Sequence, residues 1–242
     1  MKVSLLIRTL LGYGLIGITC VIFIPPLFLL ACLPEQYRYD NKLFFFLLHW
    51  FYKLICKATL TPLIIKGAEN FPHEPVILAP NHQSALDIPL VGSLCQGTPH
   101  VWLVLEYYAS VPILGFFIRQ MFVPVDRKSP SKAARSLIKI YKRVQGKNRH
   151  LIVFPEGGRF ISGKVQEFFE GIAVIARKTN RPVLPIFMPN NRKIYPPGSF
   201  YINPYPLIVI VGKPFTIGPE ETEKEFMQRI RQWFIEQEDA YL

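Results

Sequence analysis

The first sixty residues carry two long apolar stretches, and the hydrophobic pattern changes after them. No charged residue lies between Thr9 and Pro34. A helix needs about 20 apolar residues to cross a bilayer, and this uncharged stretch is longer. The second stretch, 43–60, mixes many phenylalanines with Trp50 and two lysines. This mixture is typical of a helix at a membrane interface, whose lysines reach into water, or of a core helix of a globular domain. We predict residues 1–60 to be a membrane-associated helical segment.

Pro25 and Pro26 lie inside the first apolar stretch. Proline removes a backbone donor and bends or breaks a helix, so the stretch either spans the bilayer or enters it and turns back. Lys2 and Arg8 precede the stretch, and positive charge before an apolar segment predicts a cytoplasmic N-terminus. A re-entrant hairpin would return the rest of the chain to the cytoplasmic face, whereas a single span would place it outside.

From residue 61 onward, short β-rich runs alternate with segments of helical period. The runs are LIIK (63–66), VILA (76–79), VWLVL (101–105), MFVPV (121–125), LIVF (151–154), VLPIF (183–187) and LIVIV (207–211). Helices are predicted at 129–146, 167–180 and 219–237, the first with Ser129 as its cap, Pro130 in its first turn and Gly146 at its end. This alternation predicts an α/β domain over residues 61–242, with a mixed, largely parallel sheet flanked by helices.

Composition and charge narrow the choice of partner. The chain of 242 residues is half hydrophobic and has a formal net charge of +11, which suits either nucleic acid or an anionic lipid surface. No nucleic-acid-binding motif is present, so we predict a lipid bilayer as partner and no nucleic acid. The four cysteines form no C-x-x-C pair, and we expect no disulfide framework, no metal and no cofactor.

Polar clusters directly follow three of the predicted strands. NHQSALD comes after VILA, Asp126 and Arg127 come after MFVPV, and PEGGR (155–159) comes after LIVF. In open α/β sheets, ligands bind beyond the carboxyl ends of the strands. If these strands share one direction, the clusters meet on one edge of the sheet, which predicts a functional site there.

His82 and Asp87 form the first candidate pair. A neutral imidazole accepts a proton from an alcohol near neutral pH, and it does so better when a carboxylate holds its other ring nitrogen. Pro89 fits only the first turn of a helix, so we expect a helix to begin near Asp87, with His82 in the preceding loop and within reach. The alternative is structural, because Ser84 and Asp87 also match a helix-capping pattern.

The segment FPEGGRF supplies the second set of candidates. Glycines after a strand let backbone N–H groups approach an anion, and Arg159 offers a forked donor for phosphate or carboxylate. Glu156 either orders the loop or accepts a hydrogen bond from a substrate hydroxyl, and the alternative for the whole segment is a glycine-rich turn with a surface ion pair. The sequence contains no G-x-S-x-G, H-E-x-x-H or Walker A motif. A base without an obvious nucleophile suggests direct attack by a substrate hydroxyl.

Four motifs in order, N-H-x4-D, V-P-V-D-R, F-P-E-G-G-R and V-L-P-I, resemble those of the PlsC-like glycerolipid acyltransferase superfamily over about residues 60–215. The resemblance implies transfer of a fatty acyl group from acyl-CoA or acyl carrier protein to the hydroxyl of a lysophospholipid, foremost 1-acyl-sn-glycerol-3-phosphate, in phospholipid biosynthesis. It implies His82 as general base oriented by Asp87, and residues 183–186 along the acyl chain. The residues implied in acceptor binding are Arg127, Glu156, Gly157 and Arg159.

Two departures from the motifs keep other readings open. Gly158 stands where the third motif usually has threonine, and VWLVLEYY lacks the lysines that members often carry before the position of Glu106. Another lysolipid acceptor, such as a lysoaminolipid, therefore remains an alternative, as do thioester hydrolysis and a lipid-binding protein without catalysis. The resemblance also implies a membrane-associated protein, and we expect its active site at the cytoplasmic face of the inner or plasma membrane.

Overall fold

The computed structural model describes residues 2–126, 129–159 and 164–241 of the chain. The helices of this part are α1 (Lys2–Ala31), α2 (Glu35–Arg38), α3 (Lys42–Lys57), α4 (Asp87–Leu94), α5 (Leu114–Met121), α6 (Pro130–Val144), α7 (Gly171–Thr179), α8 (Asn191–Ile194) and α9 (Glu223–Asp239), with short 3-10 helices at Ala68–Asn70 and Glu106–Ser110. The strands are β1 (Leu63–Lys66), β2 (Ile77–Pro80), β3 (His100–Leu105), β4 (Val123–Val125), β5 (His150–Ile152), β6 (Val183–Phe187) and β7 (Leu207–Val211).

The strands of the described residues form one seven-stranded sheet in the order β1-β7-β6-β2-β5-β3-β4. The strands from β6 to β4 in this order are parallel to one another, whereas β7 is antiparallel to β6 and parallel to β1. The predicted α/β class with a mixed, largely parallel sheet is therefore confirmed. Each predicted strand is present with small shifts at its ends, and α9 begins later than residue 219 because Thr222 and Glu225 form a capping box there.

The central strands are buried on both faces, as continuous apolar runs in parallel sheets usually are. Every residue of β2 and β6 is buried. Ile77 contributes to a core cluster with Ile140 of α6 and Phe226 of α9, whereas Leu78 contributes to a second cluster with Leu90 of α4. Helices thus cover both faces of the sheet, and its carboxyl edge is the place where loops can form a site.

Helix α1 continues through Pro25 and Pro26 without a break. The turns on both sides of the prolines keep their helical form, and Leu27 is buried in a cluster with Phe44 of α3. Most of α1 remains exposed and apolar, and by length and composition it is sufficient to cross a membrane. The predicted second apolar stretch forms α3, whose buried aromatic residues pack between α1 and the rest of the fold.

Gly92 allows α3 to pack closely on α4. A Cβ atom at this position would lie 2.2 Å from the ring of Tyr52, a side chain of α3 that is itself buried. Only a residue without a side chain leaves room for the ring, so this contact joins the N-terminal helices to the α/β part of the chain.

We expect Gly92→Ala to lower the free energy of unfolding by about 1–3 kcal/mol, because the added methyl group overpacks a buried contact. The measurement is thermal unfolding of the purified protein in detergent. Gly14→Ala is the matched control, since a Cβ atom there meets nothing within 4 Å. Equal unfolding temperatures of Gly92→Ala and the unmodified protein would contradict this account of the contact.

Candidate active site

The loops after β2, β5 and β6 lie together at the carboxyl edge of the sheet, because these strands are adjacent and parallel. The loop after β2 carries His82, and α4 begins at Asp87, as the position of Pro89 predicted. The loop after β5 carries Glu156, Gly157 and Arg159. The structure thus brings NHQSALD and PEGGR to one edge, and Asp126 follows the parallel strand β4 at the same edge.

His82 and Asp87 form a direct hydrogen bond, with 2.7 Å between Nδ1 of the imidazole and Oδ2 of the carboxylate. The backbone N–H groups of Gln83 and Ser84 donate to the same oxygen at 2.5 and 2.8 Å. Asp87 is fully buried, whereas His82 borders a cavity. Because Nδ1 donates to the carboxylate, Nε2 is the ring nitrogen that can accept a proton.

The alternative role of Ser84 and Asp87 in helix capping is present only in part. The N-cap of α4 is Leu86 and has no side-chain cap, but in the turn before it the Ser84 N–H donates to Asp87 and the Ser84 hydroxyl accepts from the N–H of Leu86 at 3.4 Å. The hydroxyl of Ser84 also donates to the carbonyl oxygen of Tyr195 at 2.8 Å. The Asp87 carboxylate therefore holds the loop that carries His82.

Phe154 lies flat against the imidazole of His82, with 3.8 Å between ring centroids and 12° between ring planes. Trp102 of β3 lies beyond it, 5.7 Å from Phe154 between centroids. The stack restricts rotation of the imidazole, while Asp87 fixes one of its nitrogens. We did not predict this contact, although Phe154 belongs to the quoted FPEGGRF segment.

A cavity of about 270 Å³ opens beside His82. Its walls are mainly apolar and come from β3, α5 and the loop after β5, including Leu103, Leu105, Leu114, Ile118, Phe122 and Phe154. Arg159 and the two glycines before it complete the wall. The exposed Arg159 side chain donates a long hydrogen bond of 3.4 Å to the hydroxyl of Tyr108. One cavity therefore combines a base, an apolar wall and a cation.

Glu156 is a buried carboxyl that joins two loops. Its Oε1 accepts from the backbone N–H of His82 and its Oε2 from that of Gln166, both at 3.3 Å. Burial raises the pKa of Glu156 to about 7, although the two backbone donors oppose this shift. These contacts favour the loop-ordering alternative for Glu156.

Two further expectations have different outcomes. Arg127 lies outside the described residues, and its neighbour Asp126 accepts a hydrogen bond from Lys132 at 3.2 Å. Residues 183–186, expected along the acyl chain, are buried in β6 and do not line the cavity. The reason is the strand order, because β2 and β5 separate β6 from β3.

Within residues 2–126, 129–159 and 164–241, no group of three His, Cys, Asp or Glu side chains could hold a metal ion.

Asn191 also belongs to this site, and we did not predict it. It follows β6 at the same edge of the sheet, and its Nδ2 donates to Oδ1 of Asp87 at 2.7 Å. The sequence signal was available, since PNN (189–191) is a polar cluster just after a buried strand.

We expect the free energy of unfolding of the unmodified protein to fall, relative to that of Glu156→Gln, as the pH rises from 5 to 8. A carboxyl whose folded pKa lies above its unfolded value stabilises the fold below the unfolded value of about 4.5, and this contribution is lost as the pH rises through about 7. The loss is on the order of 3 kcal/mol at about 1.4 kcal/mol per pKa unit. Thermal unfolding across this range measures it. The exposed Glu167→Gln is the control, and an equal pH dependence of all three proteins would contradict the expectation.

Residues 63–189 match the protein family described as Acyltransferase. A chloroplastic 1-acyl-sn-glycerol-3-phosphate acyltransferase of Brassica napus is 33% identical over 69% of this chain and 49% of its own length. A 1-acyl-sn-glycerol-3-phosphate acyltransferase of Pseudomonas aeruginosa is 26% identical over 95% of this chain and 90% of its own length. The chain spans about half the length of the plant relatives it matches.

The crystal structure of the 1-acyl-sn-glycerophosphate acyltransferase PlsC from Thermotoga maritima has the same fold, with a TM-score of 0.78. The alignment covers 99% of this chain and 96% of that structure at 23% identity. The family match contains the loops after β2 and β5, and with them His82, Asp87 and Glu156. On this match over more than half of its length, the chain belongs to the acyltransferase family.

Proposed function

We propose that this protein transfers a fatty acyl group from a thioester, acyl-CoA or acyl carrier protein, to the hydroxyl of 1-acyl-sn-glycerol-3-phosphate in phospholipid biosynthesis. The observation that carries the proposal is the His82–Asp87 pair at the wall of an apolar cavity. The relatives from Brassica napus and Pseudomonas aeruginosa, which are named for this acceptor, support the choice of substrate.

In the proposed reaction, Nε2 of His82 takes the proton of the acceptor hydroxyl as its oxygen attacks the thioester carbonyl carbon. The carbon–sulfur bond then breaks, and the departing sulfur receives the proton from the imidazolium. Asp87 keeps the Nδ1 proton and stabilises the charged imidazolium between the two steps. A covalent acyl-enzyme is unnecessary because a thioester is already activated, and burial raises the pKa of the Cys95 thiol, which disfavours its thiolate.

The two substrates are assigned to different parts of the cavity. The apolar walls from β3 and α5 suit an acyl chain, whereas Arg159 at the mouth suits the phosphate of the acceptor. Gly157 and Gly158 leave space for a ligand to approach the backbone, and Glu156 orders their loop. Arg127 is assigned to the acceptor phosphate by its place after β4.

Residues 1–60 are proposed as the membrane-associated segment and residues 61–242 as the acyltransferase domain. Helix α1 exposes apolar side chains such as Val21 and Leu29, which are 75% and 69% exposed. Burial of these side chains in lipid would remove this surface from water. The active site is proposed to act at the cytoplasmic face of the inner or plasma membrane, where the lipid acceptor is bound and the lipid product is released.

Another lysolipid acceptor is the second candidate, because the cavity wall from β3 carries Leu103, Val104 and Leu105 and no cation. Gly158 also removes the hydroxyl that threonine would offer. Thiol release by the unmodified protein with lysophosphatidic acid, lysophosphatidylcholine and a lysoaminolipid, each with acyl-CoA or acyl carrier protein as donor, separates these acceptors. Release without any acceptor indicates thioester hydrolysis, and release with none of them indicates lipid binding without catalysis.

We expect His82→Ala to lower the rate of thiol release by roughly 10²- to 10⁴-fold, because a general base contributes about this much to an acyl transfer. The measurement uses acyl-CoA and lysophosphatidic acid with the protein in membranes. His73→Ala is the matched control, since this histidine lies in an exposed loop before β2. If His82→Ala keeps most of the turnover when equal amounts of each protein are in the membrane, the proposed mechanism is wrong.

We expect Arg159→Gln to raise the KM for lysophosphatidic acid by roughly tenfold, because a charge-assisted contact with the phosphate is lost. The KM for acyl-CoA should stay within about twofold, and initial rates with each substrate varied in turn measure both constants. Arg135→Gln, on the exposed face of α6, is the control. An unchanged KM for the acceptor, or an equal rise for both substrates, would remove Arg159 from acceptor binding.

A further inference from the structure

We propose that Asn191 is a positioning residue, which holds the Asp87 carboxylate in the orientation that His82 requires. The inference rests on the proposed function only for its catalytic consequence, since the contact itself is structural. Asn191 is the first residue of α8, in the segment that follows β6.

The hydrogen bonds of Asp87 divide between its two oxygens. Oδ2 accepts from Nδ1 of His82 and from the backbone N–H groups of Gln83 and Ser84. Oδ1 accepts from Nδ2 of Asn191. Asp87 and Asn191 are both fully buried, so their contact is shielded from bulk water. Asn191 therefore holds one oxygen of the carboxylate, while the other oxygen holds the imidazole of His82.

The other atoms of the Asn191 amide indicate why an amide is present. Its Nδ2 also donates to the sulfur of Met188 at 3.5 Å, so both of its N–H groups face acceptors. Its Oδ1 is buried and has no hydrogen-bond partner among the described residues. A buried polar atom without a partner destabilises a fold. The unpaired Oδ1 destabilises the fold, whereas the N–H group of the same amide binds Asp87. This contrast supports hydrogen bonding to the carboxylate as the reason for an amide here.

The loop after β6 is fixed to the loop after β2 on both sides of the Asn191 contact. Before it, the side chain of Asn81 accepts from the backbone N–H of Met188 at 2.8 Å and donates to the carbonyl of the same residue at 3.3 Å. After it, Ser84 donates to the carbonyl of Tyr195. Asn191 therefore has little freedom to move relative to Asp87.

Loss of the Asn191 donor has a predictable electrostatic effect on the His82–Asp87 hydrogen bond. The carboxylate charge is then shared by one donor fewer, so Oδ2 attracts the Nδ1–H group of His82 more strongly. Glu156 accepts from the backbone N–H of His82, and a small pocket beside both residues is also lined by Lys164 and Glu238. A residue that only filled space would leave the His82–Asp87 hydrogen bond unchanged.

The test compares Asn191→Leu with Asn190→Leu, the same substitution one residue earlier, where the side chain makes only a 3.5 Å hydrogen bond to Pro206. The NMR resonance of the His82 Nδ1–H proton in detergent should move downfield in Asn191→Leu, because its hydrogen bond to Asp87 becomes stronger. The kcat with acyl-CoA and lysophosphatidic acid should fall by about tenfold, with both KM values within about twofold. Asn190→Leu should match the unmodified protein in each measurement.

Asn191→Asp is the second variant, because it keeps the shape of the side chain and places a second carboxyl against Asp87. Two buried carboxyls this close cannot both ionise, so they share one proton, and the protonated side chain donates to Oδ1 of Asp87 in place of the amide. Asn191→Asp should therefore keep more of the kcat than Asn191→Leu. An unchanged kcat and an unshifted Nδ1–H resonance in folded Asn191→Leu overturn the proposal, as does loss of the thermal unfolding transition in both variants, which would make Asn191 a residue of fold stability alone. The NMR measurement does not need turnover, so thiol release by the unmodified protein tests the proposed function separately.

Discussion

The buried carboxylate of Asp87 is the constraint on which the site depends. A charge removed from water costs many times the stability of a single contact unless hydrogen-bond donors surround it. Here the donors are the imidazole of His82, two backbone N–H groups of the following turn and the amide of Asn191. These groups come from the loops after β2 and β6. The hydrogen bonds that stabilise the carboxylate therefore also fix the positions of both loops and the orientation of the imidazole.

Those loops meet because of the sheet, and this part of the structure could be predicted from the sequence. The apolar runs that form β2 and β5 are short, flanked by turn residues and followed by polar clusters, so local pattern located the strands and the edge. The His82–Asp87 contact was also accessible, since it spans five residues and depends on the helix start that Pro89 requires. Both expectations rested on interactions that are close in sequence.

What could not be predicted depends on strand order, which no local pattern contains. Asn191 is 104 residues from Asp87 and reaches it because β6 lies next to β2. The same order places residues 183–186 in the core, away from the cavity, and gives the apolar wall to β3 and α5. The continuity of α1 through Pro25 and Pro26 also could not be read from the local pattern, because α1 packs against α3, which is distant in sequence.

The segment that contains α8 connects the carboxylate of the site with the N-terminal helix. Tyr13 of α1 donates to the carbonyl of Phe200 at 2.9 Å, and its hydroxyl lies 3.2 Å from that of Tyr195. The backbone N–H of Ile202 donates to the hydroxyl of Thr9 at 3.2 Å. One side of the first turns of α1 is therefore fixed to the segment that holds Asn191, while Ile7 and Leu11 in the same turns stay 54% and 58% exposed. Under the proposed function, α1 can contact lipid along its exposed side and still be joined by hydrogen bonds to the segment that carries a donor to the Asp87 carboxylate.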